Sequence, residues 1–154
     1  MIKTAQTLRA VPALEERLSW LPVDLAAKAI VEIASSDSQA DVALYHIVNP
    51  DASRTFGDVI LKGLRQAGVD VKPVDRREWL ELLGASEEDV ERNPGRKLLG
   101  FYNKRMGGKE ERPFMDFQVT RTSAVSPTIA NCPAITESLV ELWVKQWRAS
   151  GFLN

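Results

Sequence analysis

The sequence predicts an α/β fold: a strand–helix–strand unit at residues 41–74 and a mainly helical remainder. Three features predict it. The stretch DVALYHIVN (residues 41–49) is apolar on both alternating faces, as suits a strand in a parallel sheet covered on both sides. Apolar residues then recur at helical spacing from Phe56 to Ala67, and a second apolar stretch runs from Val69 to Val74. The crossover joining such parallel strands should be right-handed. At 154 residues the chain suits one domain, 1–154, burying about two-thirds of its unfolded surface.

The elements follow in order. Residues 1–17 show no clean period, and Pro12 argues against a helix there. Leu18–Asp24 reads as a short strand with Asp24 as helix N-cap, followed by an apolar stripe of Leu25, Ala26, Ala29, Ile30 and Ile33. Asn49-Pro50-Asp51 is a turn signal. Thr55 and Asp58 resemble a capping box ahead of the Phe56, Val59, Ile60, Leu64 stripe, which Gly68 stops. Asp75 starts a helix carrying Trp79, Leu82 and Leu83, with Gly84 as its stop. Arg96–Met106 is helical in pattern, Gly107-Gly108 opens a loop, and Phe114, Phe117 and Val119 suggest a third strand. Thr136–Ala149 is an amphipathic helix ended by Gly151.

Composition narrows the function classes. Twenty basic residues face 21 acidic ones, a formal net charge of -1, without the basic excess expected of a nucleic-acid module. No apolar run has the length of a membrane span, the amino end lacks a signal-peptide layout, and the cytoplasm is the expected compartment. Cys132 stands alone, so neither a disulfide nor a cysteine metal site is expected. There is no Gly-x-Gly-x-x-Gly and no phosphate loop, so no nucleotide cradle is expected on this chain. His46 reads as a hydrogen-bonded structural histidine, and Trp20, Trp79, Trp143 and Trp147 read as core. The Ser86–Asp89 run reads as a helix start rather than a metal loop. Phe114, Met115 and Phe117 are candidates for lining an apolar cleft. Arg96, Lys97, Lys104, Arg105, Lys109 and Arg112 cluster, either as a solvated face or as a docking surface for an acidic carrier domain.

Several blocks occur in a recognisable order: Trp20-Leu21-Pro22-Val23-Asp24, Tyr45-His46-Ile47-Val48-Asn49-Pro50, the Trp79 helix, Lys97-Leu98-Leu99, and Trp147-x-x-x-Gly151-Phe152. Together they resemble the carboxy-terminal half of the thioester reductase domains that end fungal nonribosomal peptide synthetases, polyketide synthases and adenylate-forming reductases. Those domains belong to the extended short-chain dehydrogenase/reductases. The resemblance implies a partial Rossmann-type unit, with Val42–Val48 as a late strand of its sheet, plus a mainly helical substrate-binding subdomain.

It also implies NADPH-dependent release of a carrier-bound, phosphopantetheine-linked acyl thioester as an aldehyde or alcohol. The family's glycine loop and Tyr-x-x-x-Lys pair have no match here: Tyr45 is followed four residues later by Asn49, and Tyr102 by Met106. They are expected upstream of Met1, so NADPH is expected in the parent protein and not on this chain alone. No residue here takes a catalytic role. Asn49 and Pro50 would lie at the strand's carboxyl end, near the cleft. Expected partners are the carrier domain, the missing nucleotide-binding half, and a second copy of the chain through an unpaired strand edge. The alternative is an independent, non-catalytic module that docks a carrier or another protein through the basic cluster.

Overall fold

A computed structural model describes residues 1–37, 42–89, 91–108 and 115–154. The chain divides into two compact units, each assembled from separated segments. The first comprises Met1–Glu15, Phe56–Pro113 and Thr136–Asn154; the second, Glu16–Thr55 and Phe114–Ile135.

The first unit is the α/β part. Helix α1 (Ile2–Leu8) ends on Arg9, whose left-handed φ of 52° turns the chain into strand β1 (Ala10–Pro12). A π-helical turn at Gly57–Leu61 continues into α3 (Lys62–Gln66), and Gly68, at φ 74°, releases the chain toward strand β2 (Lys72–Val74). These strands pair in parallel, with Ala10, Val11 and Pro12 opposite Lys72, Pro73 and Val74. Helix α4 (Arg76–Ala85) follows, capped by the Asp75 side chain, which accepts from the Arg77 N–H. A 3-10 turn (Pro94–Leu98) leads into α5 (Leu99–Met106), and α8 (Glu137–Ala149) starts on the Thr136 hydroxyl.

Two packing centres hold this unit. Ala10, Trp79, Leu80, Leu83, Tyr102 and Met106 form one, with the Trp79 and Tyr102 rings edge to face at 5.0 Å. The other is the seam where α3 meets α8. A Cβ on Gly63 would fall 2.6 Å from the Val140 Cβ and 2.9 Å from the Glu137 carbonyl oxygen, so only glycine lets these backbones come so close. The amino-terminal helix is fastened by a buried bond in which the Gly95 N–H donates to Thr4 Oγ1 at 2.9 Å.

The second unit holds α2 (Val23–Ala34), α6 (Thr120–Val125) and α7 (Pro127–Ala130). Arg17 and Thr55 form one isolated antiparallel bridge, and the Leu18 N–H donates to the Arg54 carbonyl. The Thr122 hydroxyl, 1% exposed, donates to the His46 carbonyl at 2.9 Å and ties α6 to the 42–49 segment.

Several expectations are corrected here. Val42–Asn49 is not a strand among the described residues, and the parallel partner of Lys72–Val74 is Ala10–Pro12, not this segment. Its alternation is real, but no neighbouring strand in the described chain offers a ladder, and strand conformation needs one. The unit at 41–74 therefore contributes its helix and its second strand, and the first strand comes from a stretch too short to show a period. Leu18–Asp24 is not a strand either. Helix α2 starts two residues earlier than read, with Pro22 at the cap and Asp24 in the first turn, where its charge complements the helix dipole. Helix α4 runs through Gly84 to Ala85. Met115–Val119 is not a strand, and Phe114 lies outside the described residues. Of the four tryptophans, only Trp79 is core, and Trp20 is 45% exposed.

Candidate functional site

The candidate residues fall into two sets, one in each unit. Asn49, Pro50, Met115 and Phe117 belong to the second unit, as does His46. Asn49 is 2% exposed and its side chain is spent on the fold. Its Nδ2 donates to the Pro133 carbonyl at 3.0 Å, and its Oδ1 accepts from the Asp51 N–H at 2.9 Å. That pair explains the turn: the side chain closes an Asx bend across Pro50 and pins it to the 133 loop. Asp51 repeats the device, accepting from the Ser53 hydroxyl and N–H, and these bonds hold its carboxyl below the usual carboxylate range.

Phe117 is the member of the apolar set that meets another candidate. Its ring lies 5.0 Å from the His46 imidazole at a tilt of 49°. His46 Nδ1 stands 3.1 Å from the Gln118 carbonyl, which accepts only, so the proton of the neutral ring belongs on Nδ1. Nε2 is then the acceptor nitrogen. Met115 is 67% exposed and Phe117 40%, which makes an open ledge rather than an enclosed cleft.

A further polar cluster in this unit left no signal in the sequence. Glu32 on α2 accepts from the Ser126 hydroxyl at 2.5 Å, the Thr128 N–H at 3.1 Å and the Thr128 hydroxyl at 2.7 Å. The Ser126 and Thr128 bonds hold the Glu32 carboxyl below its ordinary value. Its partners sit over 90 residues away, beyond the reach of any local pattern. Burial, helped by the nearby Asp51 charge, pushes the Cys132 thiol up, which leaves it a poor nucleophile.

The basic set belongs to the first unit. Arg96 is engaged: its Nε donates to the Ser86 carbonyl at 3.3 Å and its guanidinium pairs with Glu88 at 3.3 Å. Lys97, Lys104 and Arg105 are exposed, and two apolar side chains stand among them, Leu98 at 49% and Phe101 at 56% exposure. Lys109 and Arg112 lie outside the described residues. A shallow groove of about 460 Å³ between α3 and α8, lined by residues including Ala67, Leu142, Lys145 and Arg148, contains none of the candidate residues.

Over 171 residues the chain is 30% identical to the adenylate-forming reductase Nps10 of Heterobasidion annosum, covering 99% of this chain and 15% of that protein. It is 31% identical over 162 residues to the citrinin polyketide synthase of Monascus ruber, covering 100% of this chain and 6% of the relative. Against the carboxylic acid reductase of Neurospora crassa the identity is 31% over 142 residues, 84% of this chain and 13% of the relative. The chain is homologous to a segment of fungal reductases and synthases. That segment fits the thioester reductase domain which the Trp20–Asp24 and Tyr45–Pro50 blocks resemble. The chain thus spans between 6% and 15% of the length of these curated relatives. No family model and no solved structure matches it. Among the described residues, no helix is long and apolar enough to cross a membrane, and no group of three His, Cys, Asp or Glu side chains could hold a metal ion.

Proposed function

We propose that this chain is the carboxy-terminal, substrate-side part of a thioester reductase domain. Joined to a nucleotide-binding half, it takes part in reductive release of an acyl chain from a carrier: thioester, hydride and a proton give aldehyde and free thiol, and a second round gives alcohol. NADPH, held by the other half, supplies the hydride. The observation that carries this reading is that the same stretch recurs in proteins named for different chemistry, two of them as reductases and one as a polyketide synthase. Two of those names state a reductive step, which supports this reading.

The chain's own residues do not fit a dinucleotide. Gly63 is consumed in the α3–α8 seam, Gly95 sits against Thr4, and Gly68 and Gly151 end helices at φ 74° and 71°. None stands between a strand and a helix N-terminus, where a pyrophosphate cradle is built. Tyr102 is 7% exposed in the Trp79 core, where burial raises its phenol, and it has no lysine four residues on. The apolar Val42–Val48 segment, which lies in no strand among the described residues, supports a role as a strand completed by the other half.

The test is reconstitution. The chain is expressed with the nucleotide-binding segment of a relative, and NADPH consumption is followed with an acyl thioester. Turnover should need both parts, each being inert alone. An inert mixture, with the intact relative active under the same conditions, would sink the reading, and so would NADPH held by this chain alone.

A further inference from the structure

The exposed stripe of the Pro94–Met106 segment is more than a solvated face. From Asn93 to Gly108 the sequence holds four cations and no carboxylate, in a chain whose net charge is -1. Tyr102 and Met106, 7% and 9% exposed, mark the buried side of α5. On an exposed flank beside it, helical spacing lines up Leu98, Phe101 and Arg105, with Lys97 and Lys104 further round. The helix dipole accounts for Lys104 and Arg105 in the last turn. It does not account for Lys97 at the start, nor for a phenylalanine kept 56% exposed beside a leucine at 49%. Phe101 is also held in place, its ring set edge to face against Tyr102 at 5.5 Å. A rigid aromatic ringed by cations is how an interface centre with a charged rim is built.

We propose that this stripe docks an acidic, amphipathic helix of the carrier domain, with Phe101 and Leu98 as the apolar centre and Lys97, Lys104 and Arg105 as the steering rim. Arg96, held by Ser86 and Glu88, lies outside the contact and positions the segment. The identity of the partner rests on the reductase reading above, whereas the surface itself does not. Charge complementarity selects the occupant: a basic rim rejects a second copy presenting the same stripe, and it speeds encounter with an acidic surface.

The experiment titrates a purified phosphopantetheinylated acyl carrier domain onto the full 154-residue chain at low and high salt, with calorimetric readout. Binding should weaken as salt rises. Lys97→Glu with Lys104→Glu should lower affinity at least tenfold and flatten the salt dependence. Phe101→Ser should lower it at least tenfold while leaving the salt dependence in place. Lys145→Glu, an exposed charge reversal on α8, should leave binding unchanged. Thermal melts that match the parent chain show that each variant is folded. No binding by the parent chain, wild-type affinity in both stripe variants, or an equal loss in Lys145→Glu would overturn the proposal. Loss of thioester reduction in the reconstituted pair with carrier binding intact would remove the reductase reading and leave the docking surface standing.

Discussion

At the scale of single residues, Asn49 and Glu32 are polar side chains fully occupied in joining distant parts of the chain. Asn49→Ala leaves the Pro133 carbonyl and the Asp51 N–H without partners in a site that is 2% exposed, and buried polar groups so orphaned cost about 1–3 kcal/mol. Chemical denaturation should therefore show a loss of that size, and an unchanged midpoint would mean that the side chain is free for a ligand. Glu32 makes a statement about pH. Its folded carboxyl titrates below its unfolded value, so its contribution is present above the unfolded value and is lost as pH falls through the folded one. Glu32→Gln should lower the melting temperature at neutral pH. The gap to the parent chain should close in acid below the usual glutamate range. A gap that widens in acid would contradict the three-bond geometry.

At the scale of elements, the parts that were legible in the sequence announce themselves locally. Asp75 caps α4, Thr136 caps α8, and Gly68 and Gly151 take the left-handed φ that ends a helix. The Phe56, Val59, Ile60, Leu64 stripe is buried as its period requires. What stayed hidden depends on partners far away. Three residues at Ala10–Pro12 cannot display an alternation, so β1 is visible only through its pairing with Lys72–Val74. Conversely, Val42–Val48 has the alternation and, among the described residues, no ladder to satisfy it. The Phe117 ring's place against His46 depends on a fold that brings residues 46 and 117 together. The α3–α8 seam is the sharpest element-scale test. Gly63→Ala drives a methyl into Val140 and into the Glu137 backbone, which cannot rotate away. Overpacking of this kind costs about 1–3 kcal/mol, against the slight gain that alanine gives in an open helix. Urea unfolding that shows Gly63→Ala as stable as the parent or more so would mean that the helices stand further apart than described.

At the scale of the whole molecule, the decisive quantity is apolar surface left facing water. Val42 is 88% exposed and Leu44 71%, and on α2 Val23, Ile30 and Val31 are exposed by 83%, 54% and 63%. Isolated apolar residues on a surface need no explanation, but an apolar alternating segment and a helix face in the same unit do. An apolar alternating segment outside any strand among the described residues can pair with whatever offers a ladder. Alone, the readiest source is another copy of the chain, so elution on gel filtration should depend on concentration. Val42→Lys with Leu44→Lys places charges on the segment without touching its bonds to Ser19 or Thr122, and should shift the chain toward monomer with its melt unchanged. The same substitutions should impair assembly with a nucleotide-binding half if that half is the segment's proper neighbour. A parent chain that elutes as a monomer at every concentration would show that this surface is content in water, and the case for a completing strand would fall with it.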